Sequence, residues 1–184
     1  TNAPPYVPTA LEIEMNKQCA NGNTKIKIVC DETLGSFTHN KTEFEDTALP
    51  KDIPSECDPS KITEITVQKC GISGHIPEWF AEFTELETII LKSNKLTGVI
   101  PERLFDNENL DDIIFSDNYL SGTIPSNLAK TPRVYIHFLN NDLTGPVPPN
   151  IKYNYQFYVS DNRLSGELTI EDQPIGSLDD VSEE

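Results

Sequence analysis

Apolar residues recur along the chain as pairs separated by one position, and an asparagine and a glycine follow each pair at fixed distances. Five pairs lie five and three residues before an Asn or Cys: Ile65/Val67, Ile89/Leu91, Ile113/Phe115, Ile136/Phe138 and Phe157/Val159. Four residues after that Asn or Cys comes a glycine, and the glycines are 24, 24, 23 and 21 residues apart: Gly74, Gly98, Gly122, Gly145 and Gly166. The register holds five times, which predicts a chain built from stacked repeats.

Each part of the repeat predicts an element. The apolar pair predicts a short strand with alternate side chains turned inward, and stacked coils predict a parallel sheet with strands about 4.8 Å apart. The asparagine can bond freed backbone groups of neighbouring coils, because its side chain both donates and accepts. Glycine permits a tight bend. Before the repeats, we expect a helix from Ala10 to Lys17 and a strand from Lys25 to Cys30.

The segments LETIILKSNKLTGVIPERLF and LDDIIFSDNYLSGTIPSNLA resemble the plant-type extracellular leucine-rich repeat, whose family pattern is LxxLxLxxNxLxGxIPxxL. The resemblance implies an α/β-type solenoid, a right-handed superhelix of about five repeats. Its parallel β-sheet would lie on the concave face, with a second short strand at Leu-Thr-Gly-x-Ile. Family members usually open with a helical cap containing Trp-x-Gly-Val-x-Cys, which this chain lacks, so the N-terminal cap is diverged and irregular.

These features divide the chain into three predicted parts. Residues 1–59 are a capping region with disulfides, residues 60–170 hold repeats of 21–24 residues, and residues 171–184 form an acidic tail. Terminal repeats need a polar cover, so the tail either covers the open end or leads into a linker. No C-terminal cysteine pair closes the repeats, as expected if the chain is a fragment of a longer protein.

The cysteines indicate the cellular compartment. Cys19, Cys30, Cys57 and Cys70 lack the CxxC spacing that zinc sites favour, which predicts two disulfides and an oxidising environment. Of three possible pairings, the expectation is the local one, Cys19–Cys30 with Cys57–Cys70. Asn40, in the single Asn-x-Ser/Thr sequon, is the candidate glycosylation site. The chain begins without Met or an apolar leader, as expected after signal-peptide removal, so we expect a secreted or cell-surface protein.

The amino-acid composition argues against two classes of partner, nucleic acids and membranes. With 14 basic and 30 acidic side chains, the formal net charge is −16. This balance argues against nucleic-acid binding, which needs Lys/Arg clusters, and against docking on anionic membranes. No run of about 18 apolar residues exists to insert into a membrane. The apolar fraction of 36% is modest and fits thin, elongated layers better than a wide core.

The residues beside the apolar pairs are predicted to face the concave surface. An apolar and aromatic stripe with acidic and basic neighbours supplies the candidate ligand-binding residues: Ile90, Ile114, Tyr135, His137, Leu139, Tyr158, Asp112 and Lys92. Two interpretations stay open, because β-propensity alone also explains Ile and Tyr on strands, whereas a protein interface would use them as anchors. The acids similarly predict either a solvated face or a cationic partner.

No sequence motif supports catalysis. A Gly-x-Ser-x-Gly elbow, HExxH, a phosphate loop and a dinucleotide fingerprint are absent, and His39, His75 and His137 lie in separate regions. No cofactor or metal is expected, because side chains on a flat sheet diverge whereas Ca²⁺ needs six to eight converging oxygens. Ice binding needs a matched polar ladder, and the column after the glycines does not supply one: His75, Val99, Thr123, Pro146 and Glu167.

We therefore predict an extracellular module that binds a protein or peptide noncovalently, as a receptor or co-receptor ectodomain or a secreted signalling or immunity component. One alternative is an inhibitor of a secreted glycan hydrolase, because polygalacturonase inhibitors resemble this chain in repeat type. Another is a structural or adhesive segment of a longer surface protein. A monomer or weak dimer is expected, because exposed edge strands can pair.

Overall fold

The computed structural model describes residues 4–30, 39–130, 135–149 and 156–166, with the backbone alone at 41–42, 129–130, 169–170 and 173–174. Six strands form one parallel sheet, in spatial order β1 (Lys25–Val29), β2 (Glu64–Gln68), β4 (Thr88–Ile90), β6 (Asp112–Ile114), β8 (Tyr135–His137) and β10 (Gln156–Tyr158). Five strands form a second parallel sheet: β3 (Ser73–His75), β5 (Lys95–Gly98), β7 (Tyr119–Thr123), β9 (Asp142–Pro146) and β11 (Arg163–Ser165). This is a leucine-rich-repeat solenoid with the six-stranded sheet on its concave face.

The second sheet confirms the predicted short strand after each asparagine. Its glycines lie in the left-handed region, as at Gly98 with φ 81°. A Cβ atom at Gly98 would lie 2.7 Å from the His75 side chain of the preceding coil, so this position also needs glycine for space. Two further short strands, β12 (Thr169–Ile170) and β13 (Gln173–Pro174), pair with each other antiparallel.

The back of the coils consists of short 3₁₀ helices rather than α-helices. They span Glu78–Glu82, Glu102–Asp106 and Ser126–Lys130. Pro77 and Pro101 precede the first two in extended conformation. Proline cannot donate to a strand ladder and its φ suits the start of a helical turn, so it ends the second strand and begins the back of the coil.

One continuous apolar core runs through the coils. Eight members of the first four pairs are each 0% exposed: Ile65, Val67, Ile89, Leu91, Ile113, Phe115, Ile136 and Phe138. In the last pair Val159 is buried but Phe157 only half-buried, because β10 is the last strand of the sheet and no described coil stacks on its outer side. Burial of each such side chain contributes about 1.5–3 kcal/mol, so a modest apolar fraction suffices in thin, regular layers.

Asparagines join successive coils as the sequence predicted. The Asn118 Oδ1 accepts from the Leu96 N–H at 3.0 Å, in the preceding coil. Its Nδ2 donates to the carbonyl oxygens of Leu91 and Phe115, both at 3.0 Å. Asn94, Asn141 and Asn162 make the same kinds of bond. Backbone N–H and C=O groups that make no strand hydrogen bond at each turn thereby find hydrogen-bond partners inside the solenoid.

The cap begins with α1 (Ala10–Ala20), three residues longer than the predicted helix, and the Thr9 hydroxyl caps it by accepting from the Glu12 N–H at 3.2 Å. A single helical turn, α2 (Lys41–Phe44), follows later. The predicted cap strand is β1, and it pairs in parallel with β2 along its full length. The cap therefore continues the sheet of the repeats rather than merely covering its end.

The expected disulfide pairing was wrong. The bonds are Cys19–Cys57 and Cys30–Cys70, each with 4.9 Å between Cα atoms. Parallel pairing of β1 with β2 brings the ends of both strands to the same edge of the sheet, which places Cys30 beside Cys70. Proximity in sequence misled the expectation, because the bonded partners are separated by 38 and 40 residues.

The three-part division at residues 59 and 170 remains our proposal, with β1 belonging to the cap by sequence and to the repeat sheet by hydrogen bonding. Most of the tail at 171–184 lies outside the described residues. Asn40 is exposed just before α2, and its glycosylation stays a prediction. None of the helices in the described part of the chain has the length and apolar character needed to cross a membrane.

Candidate functional site

The strand register arranges outward side chains of the concave face into columns. The central column reads Lys27, Thr66, Ile90, Ile114, His137 and Tyr158. The first column reads Lys25, Glu64, Thr88, Asp112, Tyr135 and Gln156. The structure thus brings together six of the eight predicted binding residues in two adjacent columns. Lys92 and Leu139 lie just beyond β4 and β8 and are half-buried.

Sequence reasoning missed two residues of this face, Lys25 and Lys27. Both come from β1, which was assigned to the cap without a partner strand. The alternation Lys25-Ile26-Lys27-Ile28, with only the isoleucines buried, is the signal that could have placed the lysines on the same face as Glu64. The concave face therefore has a basic end that the repeats alone do not supply.

Three rings pack together at the other end of the face and form what we call the aromatic cluster: Tyr135, His137 and Tyr158. Tyr135 and His137 are stacked with ring centroids 4.2 Å apart, and His137 and Tyr158 are 4.4 Å apart. His137 is only 7% exposed, whereas both tyrosines are half-buried. A ligand would consequently meet the tyrosines, with His137 packed between them as support.

Two carboxylates share the first column but differ in their surroundings. Glu64 lies 2.9 Å from the Lys27 Nζ and 3.5 Å from the Lys25 Nζ. Burial alone would raise the pKa of Glu64, but the hydrogen bond and charge of Lys27, with the Thr66 hydroxyl and Lys25, together lower it below its usual value. Glu64 is thus held ionised by the cap strand.

Asp112, two strands away, has the opposite shift. Burial raises its pKa above the usual value, the negative charges of Asp111 and Glu64 raise it further, and the Thr88 hydroxyl at 3.5 Å opposes them only in part. Among the described residues, no basic side chain forms an ion pair with Asp112. The middle of the concave face therefore carries a half-buried carboxylate whose negative charge is only partly stabilised by its described neighbours.

The other candidate chemistry is dispersed. His39 packs edge-on against Phe44 in the cap, with ring centroids 5.3 Å apart, and His75 lies in the second sheet over the Gly98 position. In the described ranges, no group of three or more His, Cys, Asp or Glu side chains is placed to hold a metal ion. The three histidines accordingly share no site.

A hydroxyl column on the second sheet was also missed: Ser73, Thr97, Ser121, Thr144 and Ser165, each one residue before a glycine. Three of these hydroxyls donate to glycine carbonyl oxygens of the preceding coil. The distances are 3.4 Å for Thr97, 3.5 Å for Ser121 and 3.3 Å for Thr144. The column therefore stabilises the stacking of coils through backbone bonds.

Comparison with known proteins gives matches among solved structures alone. No protein-family model matches the chain, and no curated protein sequence matches it. The chain is similar to the BIR3–SERK2 complex from Arabidopsis thaliana, with 28% identity, a TM-score of 0.56, and coverage of 65% of this chain and 63% of that one. It is also similar to the plant peptide hormone receptor RGFR1 in complex with RGF2, with 27% identity, a TM-score of 0.61, and coverage of 78% of this chain and 24% of that one.

A third similar structure is a plant ice-binding protein, with 30% identity, a TM-score of 0.58, and coverage of 63% of this chain and 39% of that one. The chain thus spans less than two thirds of the length of each of these three proteins. The fold is also shared with the ectodomain of the receptor kinase SOBIR1 from Arabidopsis thaliana, at 24% identity and a TM-score of 0.51. Together with the repeat register and the two disulfides, the likeness to these structures shows that the chain has the leucine-rich-repeat fold of plant extracellular ectodomains, with a diverged N-terminal cap.

Proposed function

We propose that the concave face binds a protein or peptide ligand noncovalently, so that the chain acts as a recognition module of a receptor, a co-receptor or a secreted signalling protein. The observation that carries the proposal is the central column, in which Ile90, Ile114 and Tyr158 are all half-buried rather than covered. Aromatic and aliphatic side chains in such positions are the usual anchors of interfaces. The similar structures of BIR3 with SERK2 and of RGFR1 with RGF2 are themselves complexes.

The size of the face favours an extended peptide or a protein that also contacts the flanks. Six strands span about 24 Å across and a five-residue strand about 17 Å along, whereas a standard interface takes about 800 Å² from each partner. The cap offers additional apolar surface, because Tyr6, Val7 and Ile13 are exposed by 71%, 77% and 55%. A protein ligand would extend onto such flanks, whereas a peptide could lie within the sheet.

Charge reversal on the concave face tests this proposal. The double variant Ile114→Glu/Tyr158→Glu is compared with wild type for capture of proteins from an extracellular extract, with identification by mass spectrometry. The matched control is Val99→Glu/Tyr119→Glu, because both residues belong to the second sheet region and are 59% exposed. We expect the same partner on wild type and control and its loss from the concave variant, with all three proteins unfolding at similar temperatures.

Equal capture by all three proteins would contradict a concave site and move it to a flank or the cap. If the partner lost from the concave variant were a glycan hydrolase, the inhibitor function would replace the receptor function at the same face. If none of the three proteins captured a partner, the structural or adhesive alternative would be favoured.

A further inference from the structure

Two acids in the first column of the concave face have unequal surroundings. Glu64 has two lysines within 3.5 Å, both supplied by β1. Asp112 occupies the same column two strands further on, and among the described residues its carboxylate has only the Thr88 hydroxyl, at 3.5 Å, as a hydrogen-bond partner. A half-buried carboxylate that also experiences the negative charges of Asp111 and Glu64 has unfavourable electrostatics until a cation approaches it.

Aromatic side chains stand directly beside this carboxylate. Asp112 pairs across the strands with Tyr135, so their Cα atoms are about 4.8 Å apart. Tyr158 follows in the neighbouring column, 6.2 Å from Tyr135 between ring centroids. His137 packs against both rings and holds them. A cation over a tyrosine face is attracted by the ring quadrupole, so the carboxylate and the rings favour the same kind of group.

We infer that the Asp112–Tyr135–Tyr158 region of the concave face is a subsite for an arginine side chain of the ligand, an inference that rests on the proposed binding of a peptide or protein there. A guanidinium group is planar, so it can stack on a tyrosine and at the same time pair with a carboxylate through two N–H groups. A lysine ammonium offers only a point charge to the same partners. The subsite thus selects for arginine in particular.

The opposite end of the face gives the ligand a direction. Lys25 and Lys27 repel a basic group over β1 and β2, while their pairing with Glu64 removes the attraction of that acid. Ile90 and Ile114 lie between the two ends and suit apolar ligand residues. A ligand is therefore bound with arginine over β6 to β10, and the net charge of −16 attracts basic ligands over a longer range.

Selection from a displayed library of random peptides tests the inference, with immobilised wild-type protein as the target. We expect arginine to be enriched at one position of the selected peptides. The variant Asp112→Asn should lose that enrichment, and Glu64→Gln, in the same column, should keep it. For a selected peptide, replacing arginine with the uncharged isostere citrulline should weaken binding to wild type about tenfold, and binding to Asp112→Asn far less.

The outcomes separate the inference from the proposed function. If selected peptides bind in a manner that Ile114→Glu abolishes, but without arginine enrichment and with equal affinity for the citrulline form, the inference fails and the proposed function stands. If no selected peptide depends on Ile114, the proposed function fails as well. Enrichment of lysine instead, still dependent on Asp112, would overturn the preference for arginine. Unfolding temperatures of each variant show whether lost binding reflects lost structure.

Discussion

The cap and the repeats solve the same problem, joining a strand to the next coil, by different means. Between repeats, a buried asparagine such as Asn118 bonds backbone groups of two coils at distances of 3.0–3.2 Å. In the first coil Cys70 stands at the asparagine position and is bonded covalently to Cys30 of the cap. At the outer edge of β1, Gln18 performs a related role with its side-chain amide. Regular coils can thus use one repeated device, whereas the cap needs a special contact at each place.

Loss of the Cys30–Cys70 bond should have the largest effect. The bond closes a loop of about 40 residues, and the chain-entropy model gives about 4 kcal/mol for a loop of that size. We expect Cys30→Ser/Cys70→Ser to lower the free energy of unfolding by roughly this amount in denaturant titration. Hydrogen exchange should accelerate first in β1, because the bond attaches that strand to the repeats.

A matched variant tests whether an asparagine can join the cap to the first coil as asparagines join the repeats to one another. In Cys30→Ser/Cys70→Asn, the first coil receives the asparagine that the other coils have. If the cap strand offers backbone groups like those of a repeat, this variant should unfold at higher denaturant than Cys30→Ser/Cys70→Ser. Equal stability of the two would show that the disulfide replaces no asparagine-type bonding, and that the cap and the repeats are not joined at equivalent backbone groups.

Removal of a repeat asparagine should have an intermediate effect. Asn118→Ala leaves the Leu96 N–H and the carbonyl oxygens of Leu91 and Phe115 buried without this partner. Each unsatisfied buried group costs about 1–3 kcal/mol, and partial relaxation makes a total loss of about 3 kcal/mol the expected result. The control is Asn162→Ala, which removes equivalent bonds in a half-buried setting. Water can replace those bonds, so a loss as large as that of Asn118→Ala would contradict this account.

The same contrast explains what the sequence could predict. In the repeats, each residue contacts its own equivalent one coil away, so a periodic pattern specifies the strands, the second sheet and the asparagine bonds at once. In the cap, the bond of Cys30 to Cys70 and the pairing of β1 with β2 each occur once, so no periodic pattern in the sequence predicts them. The alternation in β1 predicted a strand, but not its partner.

The candidate site was predictable in its columns but not in its chemistry. Register alone placed Ile114 beside His137, and His137 beside Tyr158. The burial of His137 depends on how the rings of Tyr135 and Tyr158 pack against it, which spacing in the sequence does not specify. The difference between Glu64 and Asp112 depends on lysines that come from the cap, so it could not be inferred before the partner of β1 was known.

The smallest expected effect concerns the outer edge of β1. Here the cap must prevent a strand of another chain from pairing with the sheet. The Gln18 Oε1 accepts from the Lys27 N–H at 2.8 Å and its Nε2 donates to the Lys27 carbonyl oxygen at 3.0 Å, as a neighbouring strand would do. An edge strand without such a cover can pair with another chain. Gln18→Met keeps the side-chain length but removes the amide, and the lost bonds should cost about 1 kcal/mol of stability.

Exchange of the Lys27 amide hydrogen, followed by NMR, should become faster in Gln18→Met, and sedimentation should show whether the uncovered edge supports a dimer. The positive charges of Lys25 and Lys27 oppose such pairing, because two copies meeting at this edge would bring four lysines together. We therefore expect dimers of Gln18→Met only at high salt, where that repulsion is screened. An unchanged exchange rate at Lys27 would mean that the Gln18 amide does not protect the edge in solution.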